Sequence, residues 1–169
     1  RKLEQSIISL SHLFQYTCRK QDTAFLRDEF HFLEEYLKLE KLKLDERLEY
    51  MLWLEPECEN FVIPKLLLQP IVENSIVHGM GNTDTSIMIT VIASESEIKG
   101  IGKVVIISVR DNGVGFDSSV KIDEKEHTGV ANVKARAELY SKDVVYQHTS
   151  VPGEGTKTTF VFLKDVCKG

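Results

Sequence analysis

Three polar or glycine-rich clusters interrupt otherwise apolar stretches of this chain, and each holds residue types that can do chemistry. The first is Glu73-Asn74 with His78, set in the run Leu66-Leu67-Leu68-Gln69-Pro70-Ile71-Val72-Glu73-Asn74-Ser75-Ile76-Val77-His78-Gly79. At helical spacing these side chains fall within about one turn of one another and can share a rim. An asparagine amide oxygen is a hard, neutral ligand of the kind magnesium takes beside water and phosphate oxygens. A helix with one solvated face would show the same pattern.

The second cluster, Asp111-Asn112-Gly113-Val114-Gly115-Phe116-Asp117, follows directly on a β-branched run. An aspartate at a strand end can accept a hydrogen bond from an exocyclic amine such as that of adenine. Gly113 and Gly115 let the backbone turn tightly and approach a flat ligand, although a plain surface turn uses the same residues. In the third region Thr128-Gly129-Val130-Ala131-Asn132 opens a helix, with Gly153-Glu154-Gly155-Thr156 downstream. Free N–H groups and the dipole at a helix start favour phosphate; a loop followed by a helix cap is the plainer alternative.

The elements that must position these clusters can be read from periodicity. Leu3, Ile7, Leu10 and Phe14 recur at helical steps, and after a polar break at residues 19–23 a second series runs from Leu26 through Phe30, Leu33 and Leu37 to about Leu44. Two helices joined by a short turn predict an antiparallel hairpin. After Asp45 the period becomes two, with Leu48, Tyr50, Leu52 and Leu54 alternating against Glu49, Met51 and Trp53, the pattern of a half-buried strand. A boundary there divides residues 1–45 from a second unit, residues 46–169.

Pro64 predicts the first turn of a helix covering Leu66 to His78. The runs 87–92 and 104–109 predict an antiparallel strand pair. Residues 129–141 read as a helix, and 144–146 with 158–162 as two closing strands. The economical packing is α+β: a two-layer α/β sandwich with a mixed sheet, preceded by the helical hairpin.

Composition narrows the function classes. The net charge of −5, with no face rich in Lys and Arg, argues against nucleic acid as a partner. Three dispersed cysteines, with no Cys-x-x-Cys pair, indicate neither a disulfide framework nor a zinc cluster, and suit a reducing cytoplasm. No apolar run approaches the ~18 residues of a membrane span. Arg1 opens inside a helical pattern, as expected of a piece of a longer protein.

Taken together, the clusters resemble the GHKL, or Bergerat, ATP-binding fold shared by histidine kinases, gyrase-type topoisomerases, Hsp90 and MutL. Leu68-Gln69-Pro70 through Glu73-Asn74 to His78-Gly79 is similar to the N box of LytS/YesM-like sensor histidine kinases. Arg27-Asp28-Glu29 through Tyr36-Leu37-Lys38-Leu39-Glu40-Lys41 resembles the segment before that box, and Leu10 to Tyr16 the end of the first dimerisation helix.

The resemblance implies a catalytic domain that binds ATP and Mg2+. Asn74 would ligate the metal, Asp111 would recognise the adenine amino group, and Gly113 and Gly115 would form the nucleotide-facing turn. Gly129 and Asn132 match the second glycine box, bordering an ATP lid expected from Asp117 to Thr128, and Gly155-Thr156 match the last box. Glu73 and His78 are expected beside the phosphates as catalytic residues. The partners it implies are a response regulator and, in the full-length protein, a second copy forming a homodimer. The setting it implies is the cytoplasmic side of a bacterial inner-membrane sensor protein.

Two departures stand out. His127 replaces the first glycine of the lid box, and none of the five histidines lies in the Pro-His-Phe context of the family's phosphoacceptor. Self-phosphorylation within these residues alone is therefore not expected. Hydrolytic members of the fold carry a glutamate four residues before the asparagine as general base; here that position is Pro70. Transfer of the γ-phosphoryl group to a histidine is thus favoured over hydrolysis. The alternatives are an ATPase or serine-directed kinase switch on the same fold, and a pseudokinase interaction module.

Overall fold

The computed structural model describes residues 2–80, 85–117 and 128–164. Helices α1 (Lys2–Cys18) and α2 (Leu26–Leu44) form the expected hairpin, and the three-residue strand β1 (Thr23–Phe25) lies in the turn between them. A 3-10 turn over Asp45–Arg47 leads into β2 (Leu48–Leu54). Strand β3 (Val62–Pro64), helix α3 (Gln69–Gly79), the hairpin β4 (Ile87–Ile98) and β5 (Gly102–Asp111), helix α4 (Thr128–Tyr140), β6 (Val145–Val151) and β7 (Gly155–Leu163) follow.

The main sheet has five strands in the order β2-β4-β5-β7-β6. β2 runs parallel to β4 and the other neighbours are antiparallel, so the sheet is mixed, as expected. Alternation turns one face of each strand inward: Leu48, Val91, Ile107 and Phe160 are buried, whereas Met51 and Trp53 of β2 remain exposed on the other face. Buried side chains from α2, α3 and α4, among them Leu33, Leu37, Val72 and Val133, join the same hydrophobic cluster as the sheet. The result is the two-layer sandwich.

α2 owes its ends to charge as well as pattern. Asp28 and Glu29 stand in its first turn and Lys41 and Lys43 in its last, complementing the helix dipole. α1 is attached differently. Ile7, Leu10 and Phe14, three of the four residues of its apolar stripe, are 58%, 57% and 70% exposed, and it meets α2 through buried Ser9 and Tyr16. The Tyr16 ring packs 4.9 Å from that of Phe32.

Two expectations are corrected. Pro64 does not open a helix: it ends β3, which pairs antiparallel with β1. Pro70 is the proline at the start of α3, where its missing N–H costs nothing. The hairpin strands are also longer than the β-branched runs suggested, because Gly100 and Gly102, with φ of 83° and 107°, make the connection tight enough for pairing to reach Ile98 and Gly102. Among the described residues no helix is long and apolar enough to cross a membrane.

Candidate functional site

Period-two alternation in β5 carries Val105, Ile107 and Val109 to the face covered by helices, and Asp111 is next in that series. A carboxylate thus ends up 1% exposed against the core. Such burial is costly unless every oxygen is bonded, and here donors converge from three elements. Ser75 of α3 donates its hydroxyl to Oδ2 at 2.7 Å. The Gly113 amide reaches Oδ1 at 2.9 Å, the Thr156 amide reaches it at 3.2 Å, and the Thr156 hydroxyl donates to Oδ2. A carboxylate has about four lone-pair sites, so this one is fully engaged by the protein.

The backbone around Asp111 is packed as closely as its side chain. Gly155 has a φ of 97°, and a Cβ there would strike the Asp111 carbonyl. A Cβ on Gly113 would strike the Gly79 backbone, and one on Gly115 the Val151 carbonyl. These glycines therefore serve first to bring three chain segments together. Val114 N–H donates to the Gly79 carbonyl at 2.8 Å, and Gly153 N–H to the Val114 carbonyl at 2.7 Å, closing the same junction. Phe116 N–H donates to the Ser150 hydroxyl at 2.8 Å.

The rim of α3 is more open. Asn74 is half-buried, and Glu73 and His78 are exposed. With ~100° per residue, Asn74 and His78 share the side of the helix that flanks Ser75. Glu73 lies one step further, toward the crest occupied by Val77, which is 62% exposed. Its charge is felt by Tyr36 of α2, whose hydroxyl is pushed up by burial first and then by Glu40 and Glu73. Asn74 and His78 are thus companions, while Glu73 faces toward α2.

Asn132 is exposed on α4, and Gly129 falls in that helix's first turn. Asp117 is exposed; His127 and the rest of the expected lid, residues 118–127, lie outside the described residues. The structure therefore joins Asp111, Gly113, Gly115, Gly155 and Thr156 in one junction, and it sets Asn74 and His78 beside it on α3. Ser75, Gly79 and Ser150 belong to that junction without having been assigned a role from sequence. Ser75 carried a readable signal: a hydroxyl between Val72, Ile76 and Gly79 on the apolar side of a helix needs a buried partner.

A cavity of about 610 Å³ lies elsewhere, between α1 and α2, lined by residues including His12, His31, Glu35 and Lys38. A larger one, of about 720 Å³, lies beside Lys65 and Arg136, and the polar groups of the α1–α2 cavity are partly satisfied by one another, as in the Ser9–Glu35 hydrogen bond. Convergent buried donors are the stronger mark of a built site, and they are at Asp111.

Residues 62–166 match the family described as histidine kinase-, DNA gyrase B- and HSP90-like ATPase, and residues 1–48 match the family described as histidine kinase. The chain belongs to this ATPase family. Its fold is that of the family's solved members. The histidine kinase domain of the Erythrobacter litoralis EL346 blue-light activated histidine kinase superposes with a TM-score of 0.57 at 13% identity, over 96% of this chain and 75% of the other. The catalytic domain of histidine kinase ThkA, in a nucleotide-free form, gives 0.62 at 12% identity, over 84% and 94%. In sequence the chain is 28% identical over 120 residues to the sensor protein kinase HptS of Staphylococcus aureus strain USA300, covering 70% of this chain. It spans 22% of the length of that relative. ATP binding comes with the family.

Proposed function

We propose that the chain is the ATP-binding catalytic part of a LytS/YesM-like sensor histidine kinase. In this reading residues 1–45 end the dimerisation hairpin and residues 46–169 form the catalytic unit. The γ-phosphoryl group of ATP goes to a histidine upstream of Arg1, for relay to a response regulator. The protein acts as a homodimer on the cytoplasmic side of a bacterial inner-membrane sensor. One observation carries the reading: a carboxylate buried to 1% at the end of β5, ringed by donors that hold it rigidly beside the helix bearing Asn74.

Each residue's part follows from its setting. The Ser75 and Thr156 hydroxyls can accept as well as donate, so turning the Thr156 hydroxyl frees an Asp111 lone pair for the adenine amino group. Gly113, Gly115 and Gly155 keep that end compact. The Asn74 amide is half-buried and makes no side-chain hydrogen bond among the described residues, which suits a neutral oxygen ligand for magnesium. Among the described residues no three His, Cys, Asp or Glu side chains converge on a metal position, so Asn74 would add one ligand to an ion held mainly by phosphate and water. Bound Mg2+ supplies neutralisation of phosphate charge. His78, on the same side of α3, faces the phosphates, and the first turn of α4 at Gly129, with Asn132 beyond it, offers N–H groups to them. Glu73, on the α2 side, orients the incoming imidazole.

Pro70 stands where a hydrolytic relative would place its base, and it accepts no proton. An incoming imidazole is already nucleophilic, so positioning and charge neutralisation suffice. The reading is tested by incubating the full-length protein with ATP labelled at the γ-phosphate. An acid-labile phosphoryl group on an upstream histidine is expected, reduced about 100-fold or more in Asn74→Ala. Steady phosphate release with no labelled protein would replace this reading with an ATPase.

A further inference from the structure

The Arg27-Asp28-Glu29 stretch takes no part in the nucleotide site, yet Glu29 of α2 is 0% exposed. Its carboxylate is shared between elements. Oε1 accepts from the Tyr16 hydroxyl of α1 and from the Leu66 amide, the latter at 2.6 Å. Burial pushes this carboxyl above its ordinary value, opposed by the hydrogen bonds from Tyr16 and from the Leu66, Leu68 and Leu67 amides, and Oε2 has no hydrogen-bond partner among the described residues. Glu29 therefore places a hydrogen-bond acceptor against the turn that leads into α3. That helix carries Asn74 and Ser75.

The turn held by Glu29 is tied in two further directions. Lys65 is 7% exposed, and its Nζ donates to the carbonyls of Thr17 and Arg19, at 3.1 and 2.6 Å, closing the C-terminal end of α1. The carbonyls of Lys65 and Leu66 accept from the Arg136 guanidinium of α4. Leu66 itself has a φ of 57°, in the left-handed region that a branched side chain avoids. Such a conformation persists only where its surroundings over-determine it, and Glu29, Lys65 and Arg136 are those surroundings.

We propose that Glu29 is a positioning residue for the nucleotide site, reading the seating of α1 through Tyr16 and setting the seating of α3 through the Leu66 turn. The inference rests on the nucleotide reading above and adds a route by which the hairpin reaches that site. A shift of α1 that withdraws the Tyr16 hydroxyl and the Thr17 and Arg19 carbonyls frees the turn from which α3 starts and to which α4 is tied. Asn74 and Ser75 then move with their helix.

The test titrates ATP against the full-length protein, unmodified and as Tyr16→Phe, Glu29→Gln and the double variant. Thermal melting and hydrogen exchange of the α3 amides are followed beside it. Tyr16→Phe keeps the ring against Phe32 and removes only the hydroxyl. Each single variant is expected to weaken ATP binding about three- to tenfold, the worth of one hydrogen bond. The double variant is expected to lose less than the product of the two single losses, because Glu29→Gln weakens the same bond that Tyr16→Phe removes. Exchange within α3 should quicken in Tyr16→Phe, which a role confined to the α1–α2 contact would not produce. Unchanged ATP affinity in a folded Tyr16→Phe protein, or losses that multiply in the double variant, would overturn the inference. If Glu29→Gln does not fold, Tyr16→Phe and Lys65→Met decide by the same criterion. Failure of the unmodified protein to bind ATP would instead overturn the nucleotide reading.

Discussion

The two ends of the candidate site are built on opposite principles. At Asp111 the protein completes its own hydrogen bonds: a carboxylate that is 1% exposed is met by Ser75, Gly113 and Thr156, and glycines let backbone touch backbone. At the α3 rim, Asn74 is half-buried and Glu73 and His78 are exposed. On the proposed nucleotide reading, a recognition end that must reject other bases gains from being rigid before the ligand arrives. A phosphate end whose charges come with the ligand gains from being left open. One end spends stability to fix geometry; the other is expected to contribute almost nothing to stability.

Substitutions can break that contrast. The largest effect is expected at Gly155→Ala, which forces a side chain into a φ of 97° and against the Asp111 carbonyl. Overpacking and left-handed strain together should cost roughly 2–5 kcal/mol, measured by urea unfolding. A loss well below 1 kcal/mol would mean that the buried end is looser than described. Asn74→Ala should behave oppositely, changing stability by less than about 0.5 kcal/mol. It should nevertheless weaken ATP about tenfold in the presence of magnesium, and little in its absence. Equal losses with and without the metal would place Asn74 in nucleotide contact instead.

The smallest effect is expected at the α1–α2 seam, which belongs to neither end. Burial alone would raise the Glu35 carboxyl, but hydrogen bonds from Ser9 and Lys38, with the Lys38 charge, leave it below its ordinary 4.5. A carboxyl lowered in the folded state adds stability that is present above its unfolded value and is lost as pH falls through the folded one. Glu35→Gln should therefore flatten the decline of stability below about pH 4.5, by about 1 kcal/mol or less. An unchanged acid limb would remove Glu35 from the seam's electrostatics.

The main elements were legible because their periods were clear. Alternation fixed β2, the spacing of Leu26, Phe30, Leu33 and Leu37 fixed α2, and the three polar clusters marked most of the junction. β1 and β3 were not legible: each has three residues, too few for any period to show, and they exist because they pair with each other. Pro64 misled because proline suits a strand end as well as a helix start. Ser75 was passed over because its partner lies 36 residues away in sequence, so its role depends on the long-range contact. The division at residue 45 is a proposal of its own, since Leu26, Leu33 and Leu37 of α2 share one hydrophobic cluster with the sheet.

The central claim is that Asp111 recognises the amino group of adenine. Its most direct test compares ATP with inosine triphosphate, which carries a carbonyl where ATP carries that amine, in magnesium titrations of the unmodified protein and of Asp111→Asn. The unmodified protein should prefer ATP by about 100-fold, or ~2.7 kcal/mol, and the substitution should remove most of that preference, because the acceptor becomes half donor. Equal affinity of the unmodified protein for the two nucleotides would contradict the claim.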